Sequence, residues 1–427
     1  MTSLSSMILT RFRLAIFVGA ACGLIVRDAV AADDTPKLPH KGVMGSTSPV
    51  CPQDGRWAAL GGSVASGSIG TVTVWDTRTG KLMSKLKPHI GITTDVQFSP
   101  DGQWLVSVGL DTVCRVWKVH PKPVPKIGLL SLEGTVQHYT LAMPVGAGQF
   151  APGGRIRLAV APSGREFASA AQYVATDVTP IEYSRDCHQS IKIWPMPSGI
   201  ASPDNQPDPD DEPHPGPGPK PRLTIPVSQC VSMLVYSPDG KTLVAGLCQF
   251  VETGSRSRPV VQFFDAETGT LRSTWKLTDD EPHNGGMGGR LAFSPDGEHL
   301  AVCFDHKPTV SVWHVATEKV VWSHKIRNGW QDVAFSPDGT MLAVGAKHQE
   351  VQLWSFPECK LISVGVTPSV FGTNVAFARG GSTLLTTWEG DAIEQWSVEE
   401  LVAKKRWGLD QKLYRTVGET RQPLVVP

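Results

Sequence analysis

The 427-residue chain carries 40 Lys+Arg against 40 Asp+Glu, for a formal net charge of zero. That balance excludes bulk electrostatic binding to nucleic acid, which needs a basic surface. The 42 glycines and 34 prolines suit an all-β chain full of turns and argue against long helices.

In chain order, residues 1–31 come first, as a targeting segment. Arg11 and Arg13 precede an apolar run over residues 14–26, too short to span a bilayer comfortably. Ala29 and Ala31 are small residues placed for cleavage, and Asp33 and Asp34 follow. This is the layout of a secretory signal peptide cut near Ala31, and it predicts a secreted or periplasmic protein. An uncleaved N-terminal membrane anchor is the alternative. A lipid anchor on Cys22 is disfavoured, because Gly19 stands where a bulky aliphatic residue is required. No stable membrane insertion is expected after cleavage.

Over residues 35–407 two markers recur in phase. Trp75, Trp117, Trp194, Trp313, Trp354 and Trp396 each end a short β-like run, and Phe264 fills the one gap. Ser-Pro-Asp-Gly stands at 99–102, 237–240, 294–297 and 336–339, preceded by Phe98, Tyr236, Phe293 or Phe335. The period, near forty residues, means stacked copies of one supersecondary unit. In the clearest copy Asp95-Val96-Gln97-Phe98 alternates as a half-buried strand. Pro100 presets φ, Asp101 bonds the turn backbone and Gly102 accepts the left-handed conformation. A strand from Trp104, a turn at Leu110-Asp111-Thr112 and a third strand ending in Trp117 follow. Four short antiparallel strands per unit, repeated radially, describe a blade of a β-propeller. Seven marker positions predict an all-β, seven-bladed β-propeller of four-stranded antiparallel blades.

These residues resemble the WD-repeat family, whose name-giving pair is present at Trp75-Asp76. The resemblance implies a hydrogen-bonded tetrad of His89, Ser107, Asp111 and Trp117. Ala245, Val302, Val344 and Thr386 stand where Ser107 does, so those blades are expected to rely on apolar packing. Leu38-Pro39-His40 mimics the lead-in Lys87-Pro88-His89, so the N-terminal segment is expected to pair onto the last blade. Residues 408–427 follow as a C-terminal tail.

Inserts lie where the spacing lengthens. Those around residues 173–187 and 250–257 fall between second and third strands, which puts both on one face, where binding loops are raised by a rigid scaffold. Residues 200–220 are acidic, proline-rich and nearly free of apolar side chains, as in a disordered linker. The spacing there lacks a calcium-loop pattern, and no metal is expected. Removal of the signal peptide leaves seven cysteines. Cys230 and Cys248 flank the 237–240 turn symmetrically and form the candidate disulfide; two unpaired small hydrophobes are the alternative.

No strong catalytic motif occurs: there is no His-Glu-x-x-His, Gly-x-Ser-x-Gly or Walker loop. No enzyme activity and no cofactor are therefore expected. Arg290, Trp330 and Asn374 begin first strands near the central channel and Trp388 ends a second strand on the same face. These four are candidate binding residues, since aromatic and Arg side chains make interaction anchors; plain packing is their other role. The expected function is an exported, monomeric scaffold engaging a protein or peptide on one face. The alternative is an exported propeller enzyme, a lactonase-like hydrolase or a quinone-dependent oxidoreductase.

Overall fold

The computed structural model describes residues 47–63, 69–111, 113–119, 137–140, 156–171, 189–197, 220–250, 256–277, 283–284, 289–304, 309–326, 332–346, 350–367, 373–388, 392–404, 406–407 and 414–417. The targeting segment, the loops at 173–187 and 251–255, the linker through residue 219, and Trp330 lie outside them.

Seven sheets follow one another along the chain. Blade one has β1 (Trp57–Ser63), β2 (Ile69–Asp76) and β3 (Leu82–Ile90), with Val50 bridging to Ala59 as its innermost segment. Blade two has β4 (Thr93–Phe98), β5 (Trp104–Gly109), β6 (Val113–Lys118) and β7 (Gln137–Thr140). Blade three has β8 (Ile156–Val160), β9 (Glu166–Ala171), β10 (Gln189–Pro195) and β11 (Leu223–Val227). Blade four has β12 (Cys230–Tyr236), β13 (Thr242–Phe250), β14 (Arg256–Asp265) and β15 (Leu271–Lys276), and β16 (His283–Asn284) pairs with β14. Blade five has β17 (Gly289–Phe293), β18 (His299–Phe304), β19 (Thr309–His314) and β20 (Lys319–Lys325). Blade six has β21 (Asp332–Phe335), β22 (Met341–Gly345), β23 (Glu350–Ser355) and β24 (Leu361–Val366). Blade seven has β25 (Asn374–Ala378), β26 (Thr383–Trp388) and β27 (Ala392–Ser397), followed by the helix α1 (Val398–Ala403), β28 (Arg406–Trp407) and β29 (Tyr414–Val417).

Among the described residues the core is not one mass but seven clusters of buried apolar side chains, one at each junction between blades. Along β4, Val96 and Phe98 pack with Trp57, Val72 and Val74 of blade one. On β5, Val106 and Val108 instead join Leu158, Phe167 and Trp194 of blade three. Strand alternation thus gives each sheet two dry faces, one for each neighbour. The seventh cluster joins Ala58, Leu60 and Trp75 of blade one to Ala378, Leu385 and Ile393 of blade seven. It closes the ring.

The turns between first and second strands form a second ring. A Cβ placed on Gly240 would meet Pro162 Cδ at 3.7 Å, one on Gly297 would meet Pro238 Cδ at 3.5 Å, and one on Gly339 would meet Pro295 Cδ at 3.6 Å. Each turn glycine therefore lies against the turn proline of the preceding blade. At the closing junction Arg379 takes the proline's place. Its backbone nitrogen would lie 2.0 Å from a Cβ on Gly55, so only glycine fits there.

Two expectations are corrected. The fourth strand of blade seven is β29, from the segment set apart as a C-terminal tail, and it pairs Trp396↔Tyr414 through Ile393↔Val417. That edge is taken, so the N-terminal segment does not supply it; residues 38–40 lie outside the described residues. The detour has a physical cause: α1 buries Val398 and Leu401 beside blade six, and β28 lies parallel on β24 before the chain returns. No strand crosses between blades one and seven among the described residues.

Candidate functional site

The residue five positions before each turn proline, or before Arg379 in blade seven, lies on the innermost segment of its blade. In blade order these are Thr47, Asp95, Arg157, Met233, Arg290, Asp332 and Asn374. Several reach forward to the next blade. Asp95 Oδ2 accepts the Leu158 amide at 3.0 Å, and Asp332 Oδ2 accepts the Val375 amide at 3.0 Å, the same bond at two junctions. Asn374 Nδ2 donates to the Thr47 carbonyl at 3.2 Å, across the closing junction. Arg290 Nε lies 3.2 Å from Asp332 Oδ1. Gln97 adds a two-way bridge, donating to the Leu158 carbonyl at 2.8 Å and accepting the Val160 amide at 3.0 Å. First strands of neighbouring blades share no ladder, and these side chains satisfy backbone groups that would otherwise be buried unpaired.

Arg290, Arg157, Ser232, Met233, Leu158 and Asp95 line one cavity in the channel. Burial pushes the Asp95 carboxyl up, against the pull of Arg157, Arg290 and the two amides it accepts. Of the four candidate anchors, Arg290 and Asn374 lie on this wall. Asn374 is spent on the closing junction and on Thr387 Oγ1 at 3.2 Å. The Trp388 backbone ends β26 on the same face, and its side chain lies outside the described residues. Sequence reading did not mark Asp95, Arg157 and Asp332; alignment on the turn proline could have found them.

Between blades one and two, His89 at the end of β3 has Nε2 3.0 Å from Ser107 Oγ, which accepts the Trp117 indole N–H at 3.3 Å. His89 Nδ1 lies 2.9 Å from Asp111 Oδ1 and 2.8 Å from Arg115 Nη1. Arg115 donates to Asp111 Oδ2 at 2.9 Å. Burial lowers the His89 pKa, and Asp111 only partly offsets this. Burial pushes the Asp111 carboxyl up, but His89 and Arg115 more than reverse it and hold it below its ordinary value. The cluster locks the outer part of the blade and does not face the channel cavity.

Blades three, five, six and seven do not rely on apolar packing alone, whereas Phe264 of blade four has no side-chain N–H to give. The indole N–H of Trp194 donates to Ser169 at 2.9 Å, that of Trp313 to Ser311 at 2.9 Å, that of Trp354 to Gln352 at 3.0 Å and that of Trp396 to Thr386 at 2.9 Å. In blades five and six the acceptor has moved to the residue two before the Trp, on the same face of the same strand. Thr386 also donates to Glu394 Oε2 at 3.2 Å, and burial raises the Glu394 pKa to about 7.

The second-to-third-strand hairpin of blade four rises on the face where Arg290 and Asn374 begin their strands. β13 and β14 run nine and ten residues and stay paired out to Phe250↔Ser257. β16 adds to the tip at Arg256 and Ser257.

Residues 80–118 and 320–355 match the family model for the WD domain, G-beta repeat. The chain is similar to eukaryotic translation initiation factor 3 subunit I of Culex quinquefasciatus, 37% identical over 62 residues, 14% of this chain and 19% of that protein. It is similar to WD repeat and SOCS box-containing protein 1 of Mus musculus, 45% identical over 49 residues, 11% of this chain and 12% of that one. A third similarity is to WD repeat-containing protein 36 of Homo sapiens, 38% identical over 47 residues, 11% and 5% of the two chains. The matched stretch is thus a fifth or less of each relative's length, one repeat or so. Repeats that match the WD domain model thus lie in blades two and six of a seven-bladed β-propeller.

Proposed function

We propose that the protein is an exported, non-enzymatic scaffold that binds a protein or peptide on the face carrying Arg290 and the blade-four arm. The paired arm carries this reading. The extension continues the ladder out to Phe250↔Ser257, and rigid scaffolds with raised elements are where binding resides. The family match supports the same class of function, and the layout of residues 1–31 supports export.

The test is affinity capture from the native envelope fraction, using the full chain and the Trp330→Ala/Trp388→Ala double variant. A Val321→Asp variant, altered on the outer rim where Val321 is exposed, serves as control. Partners should be lost from the double variant and kept by the rim variant. Retention of the same partners by the double variant would refute the assignment of this face.

A further inference from the structure

We infer that Arg290 is an oriented anchor for a carboxylate, so that the channel wall of blades three to five receives an acidic side chain of a peptide partner. This rests on the reading of the propeller as a peptide-binding scaffold and names the chemistry that the site selects.

Asp332 fixes the arginine. Its side chain is 3% exposed, and it accepts the Val333 amide on Oδ1 at 2.9 Å and the Val375 amide on Oδ2 at 3.0 Å. A carboxylate held by two backbone amides from two blades cannot swing. It holds Arg290 by Nε at 3.2 Å. Among the described residues Nη1 and Nη2 of Arg290 have no hydrogen-bond or ion-pair partner, and the side chain is 30% exposed. The edge left over is a pair of parallel N–H groups, the shape that meets a carboxylate in two bonds at once.

The surroundings favour an anion. Arg157 lines the same cavity, at the equivalent position of blade three, with Met233 of blade four between the two. Asp95 attracts both Arg157 and Arg290 across the cavity but makes no ion-pair contact with Arg290: it is 6% exposed, and its oxygens accept the amides of Val96 and Leu158. Ser232 gives its hydrogen to the Gly246 carbonyl. The Arg290 guanidinium therefore faces a space, lined also by Met233 and Arg157, that a single side chain can enter. A neutral chain overall concentrates this selectivity in the cavity rather than in a broad field, which points to an acidic peptide rather than to a polyanion.

The experiment titrates the full chain with acetyl-Gly-Gly-Glu-Gly-Gly-amide and with its Gln counterpart at low salt, following binding by calorimetry. The Glu peptide should bind at least about tenfold more tightly, and added salt should narrow that ratio. Arg290→Gln should abolish the preference and Arg290→Lys keep part of it, since an ammonium offers a charge without the fork. Asp332→Asn, which retains an acceptor for the Val375 amide, should reduce the preference several-fold at unchanged secondary structure by circular dichroism. Equal binding of the two peptides by the unaltered protein, including no binding of either, overturns the anchor; so does an unchanged preference in Arg290→Gln. If the preference persists while the Trp330→Ala/Trp388→Ala variant still captures its partners, the anchor stands and the broader assignment of the face fails. If capture depends on those tryptophans and the two peptides bind alike, only the anchor fails.

Discussion

Asp332 on the first strand of blade six accepts the backbone amide of Val375 on the first strand of blade seven, at 3.0 Å. Asp95 makes the same bond to Leu158 between blades two and three. Removing either carboxylate leaves a buried amide without an acceptor, and removing Asp332 also leaves Arg290 unpaired. Asp332→Ala and Asp95→Ala should each cost about 2–4 kcal/mol, and Asp332→Asn distinctly less. Urea unfolding of the three variants measures this.

Gly55 and Gly380 separate two costs that turn glycines usually combine. Both have left-handed φ, 59° and 64°. A Cβ on Gly380 meets nothing within 4 Å, whereas one on Gly55 would lie 2.0 Å from Arg379 N. Gly380→Ala should cost about 1 kcal/mol, the backbone strain alone. Gly55→Ala should cost several times more, because it wedges blade one from blade seven. Thermal unfolding of the two variants, side by side, shows the difference directly.

The blade-two tetrad should make stability fall in acid. The folded-state pKa of His89 is lowered below 6.5, so the unfolded chain binds more protons once pH drops through 6.5, and folding loses free energy there. His89→Gln should flatten that part of the stability–pH curve. Asp111→Ala, which strands both His89 and Arg115, should cost about 3–5 kcal/mol at neutral pH.

Glu394 should act in the opposite direction. Its carboxyl is raised from 4.5 to about 7 in the folded protein, so between those values the folded state holds the proton and the unfolded state does not. Stability therefore falls as pH rises through that interval, by about 3 kcal/mol in all. Glu394→Gln, which mimics the protonated form, should match the unaltered protein near pH 4 and exceed it by about that amount at pH 8. An identical pH dependence in the two proteins would sink the idea.

Cys230 and Cys248 pair directly across β12 and β13, with their side chains outside the described residues. Backbone atoms facing one another in an antiparallel pair lie within the separations a disulfide spans. We propose that they are bonded in the exported protein. Non-reducing peptide mapping should give one cross-linked pair, and two alkylated thiols in material from the oxidising compartment would refute it.

Much of the architecture could be read from two markers. The aromatics recur because each must fill a junction between blades, and Ser-Pro-Asp-Gly recurs because the serine and aspartate bond each other and the returning strand, as in Ser99 Oγ to Asp101 Oδ1 at 2.5 Å. Those constraints are local and repeat along the sequence. The closing junction is not local. Nothing near Tyr414 resembles the fourth strands of other blades, and its pairing with Trp396 depends on α1 and β28 redirecting the chain. The indole acceptors escaped for a related reason: Ser311 and Gln352 serve the same hydrogen bond as Ser107 from a different strand, so a fixed-offset search misses them. Arg290 and Asn374 were legible as channel residues, but the sequence could not distinguish one spent on Thr47 from one with nitrogens to spare.

Apart from β28, which joins the blade-six sheet from beyond β27, every blade is built from a contiguous stretch of chain, and that bears on how the protein is made. Each can settle against its predecessor while later ones are still being synthesised. The last event is different in kind: Asn374 must find a carbonyl 327 residues upstream. Until it does, one hydrophobic face of blade one and one of blade seven stay wet. The growing polypeptide is at its most vulnerable to self-association in the moments before the circle is complete.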